Sequence, residues 1–136
     1  MPTYSVPEIH DDIRGAFQDG STDVARGHVI IITNTGSKTG KSSTSQGEKV
    51  HGVCILGSED DLAPFSYATC GDARVIVKNS TAVAIGDQLT SAGNGTVEPA
   101  ATGDVICGTA LTAASASYTG QEVVMRLAMD NFYPHA

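Results

Sequence analysis

The stretch that most constrains this chain is Thr81–Leu111, TAVAIGDQLTSAGNGTVEPAATGDVICGTAL. Glycines interrupt it so often that no helix can run through it, and each apolar run between them is only strand-sized. Ala82, Ala84 and Ile85 lead to a turn at Gly86-Asp87. Gln88–Thr90 and Thr96–Glu98 then flank Asn94-Gly95. Both turn residues tolerate the positive φ of a tight primed turn, so a β-hairpin is expected there. Pro99 cannot donate to a ladder and marks an edge or an exit. Gly103-Asp104 turns the chain again, and Val105–Leu111 reads as a strand with Gly108 inside it, the mark of a bulge or a close backbone approach.

The same punctuation continues upstream. His28–Thr33, HVIIIT, is a short β-branched run expected to form a strand buried on both faces. Asn34–Gln46 is polar and glycine-rich and is expected to be a loop. Lys49–Leu56 resumes as a strand with Gly52 inside it, and Leu62–Thr69 is a strand that Pro64 bends or demotes to an edge. Gly71-Asp72 turns into Ala73–Lys78, and the alternation in Glu122–Met129 predicts a half-buried closing strand. Two phrases recur: Val24–His28 parallels Val83–Asp87 with Gly27 matching Gly86, and Gly52–Leu56 parallels Gly108–Thr112. Two similar β units packed into one closed or sandwiched body would account for this and would hide sheet edges. The expectation is an all-β, glycine-rich barrel or sandwich-like single domain over residues 22–129, with Gly27, Gly52, Gly71, Gly86, Gly95, Gly103 and Gly108 at its turns and close approaches.

Residues 1–21 differ from this body. Pro2 and Pro7 interrupt any early helix, and Ile9, Ile13, Ala16 and Phe17 stand at helical spacing, so one or two helical turns are expected over His10–Phe17. Scattered apolar residues with proline suit an extended arm that orders on a neighbour, with Tyr4, Val6, Ile9, Ile13 and Phe17 as its contacts. About 20 extended residues could reach roughly 60 Å. On this reading residues 2–20 are removable without unfolding the domain. Residues 130–136 form a short tail.

Composition bounds the partners. The 136 residues carry 15 acids against 8 bases, a formal charge of −7, which repels phosphate backbones and argues against nucleic-acid binding. No apolar run approaches the ~20 residues of a membrane span. The start lacks a cationic region followed by an apolar one, so no signal peptide is expected. Cys54, Cys70 and Cys107 have no close spacing and are read as buried small hydrophobes in a reducing cytoplasm.

Catalytic patterns fail on spacing. Gly36–Ser42, GSKTGKS, follows a strand as a phosphate loop would, but is one residue short of G-x-x-x-x-G-K-[ST], and Ser43–Gly47 is a poor helix start. His10-Asp11-Asp12 and Glu59-Asp60-Asp61 match neither a calcium loop nor a zinc site and read as solvated acidic turns. No Gly-x-Ser-x-Gly elbow presents a nucleophile. No catalytic, cofactor-binding or metal-binding residue is therefore expected.

The run AIGDQLTSAGNGTVEPAATGDVICGTALTAASA, with CGDARVIV before it and EVVMRL after it, resembles the capsid decoration (cement) proteins of tailed bacteriophages. Weaker matches at Val24–Gly27 and His51–Val53 extend the resemblance over residues 22–128. It implies a compact β domain, commonly a homotrimer, that is made in the host cytoplasm and binds the major capsid protein on the outer surface of the virion, stabilising it by bridging neighbouring subunits. Relative to that family the chain carries about 21 extra residues at its start and an enlarged 34–46 loop. A non-catalytic carbohydrate- or host-surface-binding module is the alternative.

Overall fold

A computed structural model describes residues 9–20, 23–58, 62–117 and 119–128. They form nine strands: β1 (Ile9–Gln18), β2 (Val29–Asn34), β3 (Thr39–Ser42), β4 (Gly52–Leu56), β5 (Pro64–Ile76), β6 (Gln88–Gly93), β7 (Thr96–Pro99), β8 (Gly108–Ala110) and β9 (Glu122–Leu127). The strands share one sheet in the order β1-β3-β2-β4-β5-β9-β8-β6-β7. Because β1 also pairs with β5, the first five strands close into a barrel. The remaining strands continue from the second half of β5, which pairs with β9 from Asp72 to Ile76. A parallel bridge between Val97 and Val77 brings the far strand β7 back to the end of β5.

Residues 9–18 are thus a strand of the barrel and not the helical turns expected from spacing. The physical reason lies in the partners. β1 pairs antiparallel with β5 from Ile9↔Asp72 to Phe17↔Pro64, and parallel with β3 at Phe17↔Thr39 and Gln18↔Gly40. An eight-pair ladder with β5 and a buried inner face outweigh the weak helical preference of a short, glycine-containing segment. The described part of the expected arm therefore belongs to the domain, and deleting residues 2–20 would remove a stave of the barrel and unfold it. Gln18 also seals one end: its side chain is fully buried, accepts from Ser58 Oγ at 2.6 Å and from the Val24 amide, and donates to the Gly20 carbonyl.

Two further expectations change. The 34–46 segment is not all loop, since Thr39–Ser42 forms β3 and pairs with β2. Pro64 does not demote its strand to an edge. It is the first residue of β5, where no ladder donor is needed, and the chain passes the expected turn at Gly71 (φ +93°) without leaving the strand. The hairpin forms as expected, with Asn94 and Gly95 at φ 53° and 75° joining β6 to β7.

The internal repeat is real. Gly27 N–H donates to the Cys54 carbonyl at 2.9 Å and Cys54 N–H returns to the His28 carbonyl; Gly86, Ala110 and Asp87 repeat this with bonds of 2.8 Å. Val24 bridges Ser58 as Val83 bridges Ala114. Gly52 and Gly108 correspond too. A Cβ on Gly52 would overlap the Ala68 carbonyl on β5, and one on Gly108 would sit 2.5 Å from the Arg126 carbonyl on β9.

β2 starts buried on both faces, as its apolar run predicts, with Val29 and Ile30 buried and Ile31 and Ile32 half-buried, but Thr33 and Asn34 are exposed. Ile30 packs inside the barrel with Ala16, Val24, Cys54, Phe65 and Tyr67, with Ile32 alongside. Val29, with Ile31 against it, joins the larger core between barrel and second unit, which includes Val53, Val75, Leu89, Val97, Met125 and Leu127. The two units are also stitched by polar bonds. Ser91 Oγ lies 2.9 Å from both Ser43 Oγ and the Ser45 carbonyl, and Val29 N–H donates to the Gly95 carbonyl at the hairpin tip. His28 lies at the same seam, its Nδ1 2.7 Å from Ser42 Oγ, and burial lowers its pKa.

Three outcomes are expected. Gly52→Ala and Gly108→Ala each lower unfolding stability by about 1–3 kcal/mol in chemical denaturation, whereas Gly36→Ala stays within about 0.5 kcal/mol. Cys54 and Cys107 are 1% exposed with thiols pushed up to about 12, while Cys70 is half-buried; a thiol reagent therefore labels the native chain at Cys70 alone and all three cysteines after denaturation. Because burial lowers the His28 pKa in the fold, its contribution is complete above the ordinary histidine pKa of 6.5 and is lost as pH falls below it. The melting temperature of His28→Gln should fall less steeply between neutral pH and pH ~5 than that of the parent chain.

Candidate functional site

Alternation along β1 assigns two surfaces. Arg14, Ala16 and Gln18 take the side of the barrel interior, Ala16 and Gln18 being buried and Arg14 standing at the mouth. Ile13, Gly15 and Phe17 turn outward, with Ile13 56% and Phe17 45% exposed. Register places neighbours beside them. Phe17 lies opposite Pro64, Gly15 opposite Ser66, and Ser66 in turn opposite Leu56 on β4. Leu62 N–H donates to the Gln18 carbonyl at the foot of the same strands. Leu56 and Leu62 are 67% and 64% exposed, so among the described residues four of the five exposed large hydrophobic side chains are carried by β1, β4 and the entry to β5. Exposed apolar residues gathered on adjoining strands mark a contact surface more strongly than scattered ones do.

Ile13 and Phe17, expected as partner contacts, are therefore brought together on one outer face. Ile9 lies on β1 opposite Asp72. Tyr4 and Val6 lie outside the described residues, as do Glu59–Asp61 and the 130–136 tail. Leu56 and Leu62 were not signalled by the sequence, because one ends an apolar strand and the other follows an acidic turn, which are ordinary positions for a core residue.

The second surface is an opening in the barrel beside β1, at Arg14–Ala16. It is a cavity of about 490 Å³ with Ala16, Ile32 and Tyr67 among its apolar lining and Arg14, Lys38, Lys49 and His51 among its polar lining. Three of the chain's eight Lys and Arg residues meet there, although the whole chain is acidic. His51 Nδ1 accepts from the Ile32 amide at 3.1 Å, which leaves the ring proton on Nε2. Burial lowers the His51 pKa, the charge of Lys49 lowers it further, and Glu48 opposes both. The Glu48 carboxylate is itself engaged, Oε1 accepting from the Thr44 and Ser45 amides at 2.8 and 3.1 Å. No local motif could have announced this cluster, since its four basic residues come from β1, the β2–β3 turn and the approach to β4.

The phosphate-loop-like segment Gly36–Ser42 builds no cradle. Residues 35–38 are a hairpin turn and residues 39–42 are committed to the ladder with β2. His10–Asp12 lies within β1 rather than in an acidic turn. Among the described residues, no group of three or more His, Cys, Asp or Glu side chains is placed to hold a metal ion.

No family model and no curated protein sequence matches the chain. Among solved structures, the fold is similar to that of the N base of head fiber gp8.5 in bacteriophage phi29, with a TM-score of 0.66 and 16% sequence identity, covering 86% of this chain and 93% of that one. At that identity the likeness is one of fold, and it takes in nearly the whole of both chains.

Proposed function

We propose that this chain is a structural component of a phage virion, a head-associated β domain that adheres to the outer surface of the capsid and performs no catalysis. The observation that carries the reading is the fold shared with a head fiber base over almost the full length of both chains. The decoration-protein resemblance of residues 22–128 agrees with it. In this reading the outer face bearing Ile13, Phe17, Leu56 and Leu62 is the principal contact, and the major capsid protein is its partner. The exposed positions on β1 replace a flexible arm as the adhesive element, because β1 is held in the barrel by its ladder with β5.

Stabilisation of a shell follows from geometry and multiplicity. A homotrimer would present three copies of the face, and each contact after the first is intramolecular, so modest single contacts sum to an avidity about 10²–10⁴ above one of them. Contacts straddling adjacent capsid subunits oppose their separation when packaged DNA presses outward. A carbohydrate-binding module draws less support: Phe17 is the one substantially exposed aromatic ring among the described residues, and sugar platforms rely on several.

Co-sedimentation with undecorated heads of the encoding virus tests the proposal. The parent chain should pellet at saturable occupancy, and Ile13→Ser/Phe17→Ser should keep its melting transition but bind at least about tenfold more weakly, two well-packed apolar contacts being worth more than ~1.4 kcal/mol. Undiminished binding by that variant removes the face from the contact, and no binding by the parent chain removes the function. Light scattering should give three times the 14.0 kDa chain mass.

A further inference from the structure

Edge bonding along β1 changes character at Phe17. Gln18 N–H donates to the Ala63 carbonyl on the β5 side, whereas Phe17 N–H donates to the Lys38 carbonyl on the β3 side. The register with β5 runs without interruption from Ile13↔Ala68 to Phe17↔Pro64. Backbone groups alternate between the two sides of an antiparallel strand, so Gly15 and Ile13 direct their N–H and C=O groups to the same side as Phe17. Among the described residues no strand meets them there, because β3 pairs only with Phe17 and Gln18. A short open edge remains, and Gly15 places it on the lining of the basic barrel mouth.

We infer that this mouth is a docking groove for an extended acidic segment of a partner protein, which adds as a strand to the open edge of β1 at Ile13 and Gly15 while its carboxylates meet Lys38 and Lys49. The inference rests on the reading of the chain as an adhesive module, and names a second contact distinct from the apolar outer face. Three observations select this occupant. An unpaired strand edge is completed by main-chain hydrogen bonds from an extended peptide, with alternate side chains falling into the groove. The apolar lining of Ala16, Ile32 and Tyr67 accepts an apolar side chain from that peptide. The basic rim is locally opposite in sign to the rest of an acidic surface: Lys38 and Lys49 form no salt bridge among the described residues, and Glu48 is turned to the 44–45 amides. His51, with its proton on Nε2, adds a neutral donor. Such a rim selects acidic partners and repels basic ones.

A short, end-capped, fluorescein-labelled peptide of alternating Glu and Val is the probe, with a Lys-Val peptide as its counterpart. Fluorescence polarisation should show the Glu-Val peptide binding at least about tenfold more tightly, an advantage that shrinks as salt is raised. Lys38→Glu/Lys49→Glu, two solvent-facing changes, should reverse the preference. In ¹H–¹⁵N spectra the Ile13 and Gly15 amides should move on binding and become protected from exchange. Gly15→Pro, which removes one of those donors, should abolish binding; should it fail to fold, the lysine pair and the amide shifts decide. Equal affinity for both peptides, no binding of either, or shifts confined to other strands overturn the inference. Peptide binding that dissociates an oligomer of the chain would overturn it too, by assigning the groove to a contact between copies. None of these readouts involves capsids, so failure here leaves the head-binding reading standing, and failure there leaves this one.

Discussion

Every part of this molecule depends on β5 being one strand and not two. Its first half is a stave of the barrel, held by β1 on one side and β4 on the other, and its second half is the first strand of the other unit, held by β9. The change of partners falls at Gly71 and Asp72. Gly71, at φ +93°, supplies the bend that an L-residue would resist. Asp72, which pairs with both Ile9 and Arg126, receives two hydrogen bonds from the Arg126 guanidinium at 2.9 and 3.2 Å and so pins β9 at the point of exchange. A forked Arg–carboxylate pair with a mostly buried acid fixes geometry as well as contributing energy.

Sharing one strand lets two copies of a small β unit bury each other. Each carries the same turn, the same strand glycine and the same closing bridge, but the first has been lengthened. Ile30 pairs with Ser42 twelve residues on, whereas Leu89 pairs with Pro99 ten residues on. The additional residues lie in the β2–β3 hairpin, which is also where Lys38 reaches the barrel mouth. The second hairpin keeps the minimal Asn94-Gly95 turn and spends its tip on the seam, where Gly95 bonds to Val29 and packs against His28. One copy of the hairpin has become internal structure and the other faces solvent with charge on it.

The two candidate surfaces differ in the physics they would use. The outer face of β1, β4 and β5 offers apolar area, whose value grows with each contact made and depends little on salt. The barrel mouth offers a short strand edge with basic neighbours, so it would choose partners by sign and by backbone shape rather than by area. β1 carries both, through the alternation of its side chains and of its backbone groups. On the proposed reading, adhesion would come from one side of this strand and selectivity from its edge.

The primary structure by itself determined the class of this protein and much of its local chemistry. Glycine punctuation, the Asn94-Gly95 turn, the doubly buried run at Val29–Ile32, the Val24/Val83 and Gly52/Gly108 correspondences and the buried Cys54 and Cys107 all follow from short-range rules, and the structure holds them as expected. What only the tertiary structure decided are the features that depend on residues far apart in the chain. Ile9–Gln18 has a spacing compatible with a helix and becomes a strand because β5, some fifty residues later, offers it a ladder. Pro64 and Gly71 look like strand breakers and are instead the first residue and the bend of the longest strand, since β1 pairs with both and holds them in register. Arg14, Lys38, Lys49 and His51 carry no motif, and converge only because closing the barrel brings three separate segments around one opening. Local preference is worth tenths of a kcal/mol per residue, whereas a long-range ladder with a buried face is worth several, so where the two disagree the distant partner prevails.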